Sequence, residues 1–171
     1  EKKSNRIAAE GVVHYFSNDK KALLIEINSE TDFVAKGDDF LGFVNKACQI
    51  IINQPYHTLS ELTESVETEI KIELDELRKN FITKLGENIQ IRRFEIINKD
   101  KSSVTGYTHN NKIGAMVVLK SEDEQLSKDI CMQIVASSPL ALDEKAIDKE
   151  ILDNERDVYH AELENIDKKD D

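Results

Sequence analysis

Apolar and polar positions in the first part of the chain predict a strand pair over residues 5–28, followed by one or two helices over residues 31–53. Thr31 and Asp32 are both good N-cap residues, so a helix should begin at about this point. Gly37, which two aspartates follow, predicts a break and a second helix start. This second helix should bury one face, because apolar side chains recur at spacings of three and four: Phe40, Phe43, Val44, Ala47 and Ile51.

The rest of the chain alternates between helical and strand patterns. Residues 58–85 predict an acidic helix that Gly86 ends, and residues 90–97 alternate loosely, as a strand does. A second set of two strands and a helix is expected from about residue 104 to residue 138. Residues 143–171 are charged and helical with only loose apolar periodicity, which is typical of one arm of a projecting helical hairpin or of a frayed tail.

The same unit occurs twice in the chain when Tyr15 is aligned with Tyr107. At this shift Val12 aligns with Val104, Lys20 with Lys112, Glu30 with Glu122 and Lys36 with Lys128. Each copy predicts a strand, a short polar turn, a second strand and an amphipathic helix. The copies differ at the helix start, where Phe33 of the first copy aligns with Gln125 of the second.

This difference favours an exposed role for Phe33. A scaffold that accepts Gln125 at the helix start does not need an aromatic there to close its core, and a protruding aromatic is a common anchor of a protein interface. The alternative is that Phe33 packs the helix start onto the sheet, as aromatic side chains in cores do. The residues themselves leave both interpretations open.

Composition excludes several classes of protein. The 34 acidic residues against 23 basic ones give a net charge of −11, which disfavours non-specific nucleic-acid binding and favours a partner with basic patches. With 39% hydrophobic and 33% charged residues, the chain is typical of a folded protein. Cys48 and Cys131 each lie within a helical pattern and are expected to be free, buried thiols in a reducing compartment. Since no apolar segment is long enough to span a membrane and no signal peptide is visible, we predict a cytoplasmic protein.

Motifs of enzymatic chemistry do not occur in the sequence. The four histidines, at positions 14, 57, 109 and 160, lack metal-ligand spacing, and no phosphate-binding glycine loop or nucleophile elbow is present. We therefore expect no metal, no cofactor and no catalytic residue. Arg92 and Arg93 form the one pair of adjacent arginines, for which salt bridges are a more ordinary role than RNA contact.

The segment Thr31-Asp32-Phe33-Val34-Ala35 resembles the signature of elongation factor Ts, the nucleotide exchange factor of bacterial and organellar translation. Further matches follow in the family's order and spacing, at residues 8–11, 86–89, 92–94, 107–109, 112–114 and 128–132. The resemblance extends over roughly residues 5–155. It implies an α+β fold with two related subdomains, each an antiparallel sheet packed with helices, plus a projecting C-terminal helix. The corresponding boundaries are 1–86 and 87–142 for the two subdomains and 143–171 for the acidic helix.

The resemblance also implies a function. A member of this family binds elongation factor Tu, in its GDP-bound and nucleotide-free forms, and promotes GDP release without covalent chemistry. In the family an Asp-Phe pair is inserted beside the nucleotide and its magnesium ion, and it corresponds here to Asp32 and Phe33, flanked by Thr31 and Val34. The second subdomain rests on the last domain of the partner, and the residues carried over for this contact are His109, Asn110, Lys112 and Ile113.

Departures from the family leave alternatives open. A small N-terminal helical module, the return arm of the hairpin and the C-terminal remainder of the core are expected to lie outside residues 1–171. Met132-Gln133 stands where the family usually has Met-His. The first alternative is therefore an acidic interaction module, or an inert core fragment without exchange activity. The second is an RNA-associated factor that uses Arg92, Arg93 and Lys112. We expect neither direct nucleic-acid binding nor a membrane, whereas a homodimer through the helix after Asp143 is compatible with the family.

Overall fold

A computed structural model describes residues 6–66, 68–100, 103–120 and 122–167. Its strands are β1 (Glu10–Ser17), β2 (Lys21–Ser29), β3 (Gln90–Asn98), β4 (Ser103–His109) and β5 (Ile113–Leu119). Its helices are α1 (Asp32–Ala35), α2 (Asp38–Ile52), α3 (Leu59–Glu64), α4 (Glu69–Leu85), α5 (Glu124–Ser137) and α6 (Lys149–Asp167), and a short 3-10 turn covers Glu144–Ala146. The ends of the predicted segments at residues 1–5 and 168–171 lie outside the described residues.

The strands form two antiparallel sheets, so the predicted α+β fold is confirmed. The first sheet has the order β1-β2-β3, and the second consists of β4 and β5. A strand pair followed by helices thus occurs at β1-β2-α1-α2 and again at β4-β5-α5, at the positions that the internal repeat predicts.

The first sheet contains a third strand that comes from the middle of the chain. β3 pairs antiparallel with β2, with Ile25 opposite Phe94, so residues that we expected in the second subdomain extend the sheet of the first. The chain divides into two compact units, Glu1–Ala136 and Ser137–Asp171. The predicted subdomain boundaries after residues 86 and 142 stay a prediction.

The main core lies between the first sheet and α2. The central strand β2 buries Leu23, Ile25 and Ile27 in the same core as the apolar side chains of α2. On the other face of the sheet, Gly114 of β5 lies close to the side chains of Val13 and Leu24. The apolar stripe of α2 is buried as predicted, with Phe40 and Phe43 fully enclosed. A smaller buried set joins the second sheet to α5, where the Cys131 thiol donates to the Thr105 carbonyl over 3.3 Å.

The acidic segment before Gly86 forms two helices rather than the single one we expected. Thr58 caps α3, with its hydroxyl accepting from the amide of Glu61 over 3.2 Å, and α3 ends at Ser65, whose backbone is extended. Thr68 is extended too and begins α4. The Ser65 hydroxyl donates to the Leu62 carbonyl over 2.7 Å, a local hydrogen bond of the kind by which serine competes with the helix, whereas the Thr68 side chain makes no capping hydrogen bond. Gly86, with a φ of +80°, ends α4 in the left-handed conformation that glycine adopts without strain.

The second unit contains the 3-10 turn and α6. The side chain of Asp143 accepts from the amide of Lys145 over 3.0 Å and begins the turn. The helix predicted within residues 143–171 is therefore present from Lys149 to Asp167. Its described side chains are mostly exposed, and they include Val158 and Tyr159.

Candidate protein-binding site

The turn between β2 and α1 fixes where the first helix begins. The buried hydroxyl of Ser29 donates to the Thr31 carbonyl over 3.0 Å, so the chain reverses immediately after the strand. The Thr31 hydroxyl then accepts from the amide of Val34 over 3.4 Å. The predicted N-cap is confirmed, and it sets the single turn of α1.

The side chain of Phe33 projects from α1 into solvent. It is 86% exposed, whereas Val34 packs against the core and Ala35 is buried. This arrangement overturns the interpretation in which Phe33 packs the helix start onto the sheet. Burying a phenylalanine side chain is worth about 1.5–3 kcal/mol, and the fold leaves this amount available to a partner.

Two glutamates, Glu30 in the turn before α1 and Glu87 in the loop before β3, link these two loops. The Glu87 carboxylate accepts from the Thr31 amide over 3.0 Å and from the Thr31 hydroxyl over 2.6 Å. Reciprocally, the Glu30 carboxylate accepts from the amide of Asn88 over 2.7 Å. Hydrogen bonds to a charged acceptor are stronger than neutral ones. The two loops therefore hold each other, and α1 is presented on a fixed base.

The charged residues of α1 pair with each other. The Lys36 ammonium donates to the Asp32 carboxylate over 2.7 Å. This hydrogen bond and the lysine charge hold the pKa of Asp32 below its usual value, and the same hydrogen bond and the Asp32 charge raise the pKa of Lys36. Asp32 is thus ionised beside Phe33 throughout the neutral pH range.

Glu10 connects the two elements that we expected to contact a partner. Its carboxylate accepts from Lys112, in the turn between β4 and β5, over 2.8 Å. Its negative charge also contributes to the raised pKa of Lys36, after the larger contributions of Asp32. Glu10 lies opposite Ser29, the last residue of β2, so its ion pair with Lys112 ties the second hairpin turn to the end of the sheet from which the chain enters α1.

The turn between β4 and β5 is docked against the first sheet. Asn110 and Asn111 adopt positive φ values of 51° and 54°, as a tight hairpin turn of the primed type requires. The carbonyl of Asn111 accepts from the amide of Val13 over 2.8 Å. Ile113 remains 49% exposed, so the turn holds an apolar side chain at the surface.

The four residues predicted for the second contact have different surroundings. The exposed His109 ring is near the Tyr107 hydroxyl and the Asn110 amide, each at 3.2 Å. Lys112 is engaged by Glu10 within the protein. Ile113 is therefore the most available residue of this set, since the side chains of His109, Asn110 and Lys112 all contact other residues.

The cations that an RNA-binding role would use are all in ion pairs. A register shift opposite Glu26 places Arg92 and Arg93 next to the same carboxylate, at 3.3 Å and 2.7 Å. The predicted salt-bridge role of the arginine pair is confirmed, and Lys112 is paired as noted. This weakens the RNA hypothesis.

Metal-ligating side chains are not clustered in the described ranges. They contain no group of three metal-ligating side chains and no helix that is long and apolar enough to cross a membrane. Cys48 and Cys131 are free and buried, as predicted. Burial raises the pKa of the Cys48 thiol to about 12 and also raises the pKa of Cys131, so both thiols stay protonated at neutral pH.

Sequence reasoning missed the supports of this site. Glu10, Glu30 and Glu87 had no assigned role, because their partners lie far away along the chain. Glu10 and Glu87 did occur in segments that carried the family resemblance. Nothing in the local pattern, however, indicates that the Glu10 carboxylate binds Lys112 or that the Glu87 carboxylate caps Thr31.

An exposed aromatic side chain on a short, braced helix is the main feature of this candidate protein-binding site. The sequence matches the family model described as Elongation factor TS over residues 30–171. Similar curated proteins include the elongation factors Ts of Methylococcus capsulatus, 38% identical over 166 residues, and of Thioalkalivibrio sulfidiphilus, 41% identical over 165 residues. The alignments cover 96% and 95% of this chain but 56% of each relative, so the chain spans little more than half their length. This chain belongs to the elongation factor Ts family.

Proposed function

We propose that this chain binds elongation factor Tu and accelerates GDP release from it, with Asp32 and Phe33 as the inserted element. The observation that carries the proposal is the exposure of Phe33 on a helix whose start is held by Thr31 and Glu87. An inserted aromatic can displace groups of a partner only if its own base does not yield. Fixed positioning of this kind also keeps the entropic cost of binding low.

Exchange by such a protein is a consequence of binding linkage. If the chain binds the nucleotide-free partner more tightly than the GDP-bound partner, then it must weaken GDP binding by the same factor. No bond is made or broken, and the protein needs neither metal nor nucleophile of its own. Asp32 supplies a negative charge next to Phe33. This charge has the sign needed to compete with the nucleotide phosphates for the cationic groups and the magnesium ion of elongation factor Tu.

The second contact would involve the turn between β4 and β5. Ile113 offers exposed apolar surface, and Asn110 and His109 offer polar groups around it. Because Lys112 of this turn binds Glu10, which lies opposite the end of β2, the turn and α1 would approach the partner as two points of one surface. We assign the wedge to Thr31, Asp32, Phe33 and Val34 and the second contact to His109, Asn110, Lys112 and Ile113.

The test uses elongation factor Tu loaded with a fluorescent GDP analogue. Addition of this chain with excess unlabelled GDP should accelerate the loss of the fluorescence signal, in proportion to the chain concentration. Binding without acceleration would instead favour the alternative of an interaction module without exchange activity. If the chain neither bound elongation factor Tu nor accelerated GDP release, the proposal for this chain would be overturned.

A homodimer, the other assembly compatible with the family, stays a prediction. Among the side chains of α6 that the structure describes, four exposed apolar ones could pair between copies: Ile151, Val158, Tyr159 and Leu163. Sedimentation equilibrium of the chain and of a variant with Val158→Glu and Leu163→Glu would test it, since only the unmodified chain should dimerise.

A further inference from the structure

Ile7, which precedes β1 in the chain, exposes a large apolar side chain to solvent. It is 86% exposed, the same fraction as Phe33, although the neighbouring Ala8 is buried. The backbone on the other side of Ile7 is also held, because the Asn88 Nδ2 atom donates to the carbonyl of Arg6 over 2.6 Å. The side chain of Ile7 is therefore presented to solvent from a fixed backbone.

The loop that holds Arg6 also holds the beginning of α1. The amide of Asn88 donates to the Glu30 carboxylate over 2.7 Å, and the preceding Glu87 caps Thr31. The Arg6 guanidinium lies 3.7 Å from the same Glu30 carboxylate. Three segments that are distant in the sequence thus meet in one cluster of polar contacts.

This cluster presents two exposed apolar side chains. Ile7 directly follows Arg6, and Phe33 lies two residues beyond Thr31. The charge of Arg6 is paired with Glu30 inside the protein. What the segment at Ile7 offers to another molecule is therefore apolar surface.

The helix α1 is too small to hold a partner by itself. It has four residues, of which Ala35 is buried and Val34 packs against the core. A stable protein interface buries about 800 Å² on each partner, from roughly 20–30 residues. A protein that receives Phe33 must therefore also cover surface close to α1, and the segment at Ile7 is joined to the base of this helix.

We propose that Ile7 is a second apolar anchor for the protein that receives Phe33, elongation factor Tu. The inference rests on the proposed function and adds a contact to it. Ile7 contributes affinity whether or not the nucleotide is bound, whereas Phe33 is the element inserted beside the nucleotide. Full burial of an isoleucine side chain corresponds to a gain in affinity of about tenfold to a hundredfold.

Protection of an introduced thiol tests the contact without requiring exchange activity. Cys48 and Cys131 are free and buried, and burial raises the pKa of both thiols, so a surface cysteine reacts selectively. Ile7→Cys should react with iodoacetamide several-fold more slowly in the presence of excess nucleotide-free elongation factor Tu, as followed by mass spectrometry of this chain. Val66→Cys is the matched control, because Val66 is also 86% exposed but lies between α3 and α4. Its rate should not change.

Nucleotide release separates the role of Ile7 from that of Phe33. Ile7→Ser should raise about tenfold the chain concentration that gives half-maximal stimulation of GDP release. It should leave the maximal rate unchanged, as the loss of uniform binding predicts. Val66→Ser should change neither quantity, and urea unfolding should be the same for both variants, since neither side chain is in the core.

The outcomes distinguish this inference from the proposed function. Protection of Ile7→Cys by elongation factor Tu, in a chain that does not accelerate GDP release, would support the contact and overturn only the exchange activity. Normal acceleration without any protection of Ile7→Cys would overturn the inference alone. The inference is also overturned if Ile7→Ser and Val66→Ser weaken stimulation equally.

Discussion

The Glu87 carboxylate caps Thr31 with both of its oxygen atoms, accepting from the amide over 3.0 Å and from the hydroxyl over 2.6 Å. Glu87 follows the glycine that ends α4, and Thr31 begins α1, so the contact joins two loops that are distant in the sequence. Because Phe33 lies only two residues beyond Thr31, this contact determines how firmly the exposed aromatic is presented.

Removing the Glu87 carboxylate should loosen α1 and slow exchange. Glu87→Ala deletes both acceptors, and we expect a loss of about 1 kcal/mol in the free energy of unfolding. We also expect a several-fold lower rate of stimulated GDP release. Urea denaturation and the nucleotide-release assay measure the two effects. Glu64→Ala, an exposed glutamate at the end of α3, is the control. An unchanged release rate in Glu87→Ala would show that the cap does not support the wedge.

Thr31 should be replaceable by serine but not by valine. Serine keeps the hydroxyl that accepts from Val34 and donates to Glu87, whereas valine keeps the shape and loses both hydrogen bonds. Loss of an N-cap costs about 1 kcal/mol, so Thr31→Val should unfold at a lower urea concentration. Equal stability of the two variants would contradict the capping role.

The ion pair of Asp32 with Lys36 should make the wedge insensitive to pH near neutrality. The pKa of Asp32 is lowered in the folded protein. Its contribution to folding stability is therefore present above the pKa that the group has in the unfolded chain, and is lost as the pH falls through the folded pKa. The pKa of Lys36 is raised, so its contribution is present below its unfolded value and is lost only as the pH rises through the folded pKa. Both groups therefore stay charged between about pH 5 and pH 9.

A carbon-detected NMR titration of the Asp32 carboxyl checks this account. Its midpoint should lie below 3.8, the ordinary value, and should move upward in Lys36→Met, which removes the hydrogen bond and the charge. Lys84→Met is a suitable control, because Lys84 pairs with Asp39 instead. An Asp32 midpoint that is identical with and without Lys36 would contradict the pairing.

Close packing of the second hairpin on the first sheet should depend on Gly106. A Cβ atom at this position would lie 2.1 Å from the ring of Tyr15, so the ring or the hairpin would have to move. We expect Gly106→Ala to destabilise the fold by about 1–3 kcal/mol. Gly42→Ala is the matched control, since a Cβ there meets nothing within 4 Å and alanine should stabilise α2 by about 1 kcal/mol. Thermal unfolding checks both variants: the midpoint temperature should fall for Gly106→Ala and rise for Gly42→Ala.

Local patterns in the sequence were sufficient for the parts of the site that depend on neighbouring residues. The cap at Thr31, the break at Gly37 and the buried stripe of α2 all follow from spacing within one turn or two of helix. The exposure of Phe33 was indicated by comparing the two copies, because Gln125 shows that the position can be solvated.

Long-range pairing was beyond the same reasoning. The alternating pattern of residues 90–97 predicts a strand but does not say which strand it pairs with, and β3 joins β2 across more than sixty residues. The register shift that brings Arg92 and Arg93 to Glu26 depends on that pairing. The carboxylates of Glu10 and Glu87 likewise contact residues that only the assembled sheets bring near.

The most direct measurement is the stimulated release of a fluorescent GDP analogue from elongation factor Tu by Phe33→Ala, compared with the unmodified chain. The account predicts a rate lower by about tenfold or more, as for a central interface anchor, with unfolding by urea unchanged because Phe33 is outside the core. Tyr159→Ala removes another exposed aromatic, on α6, and should leave the rate as it is. Stimulation by Phe33→Ala at the full rate would contradict the central claim that this side chain drives exchange.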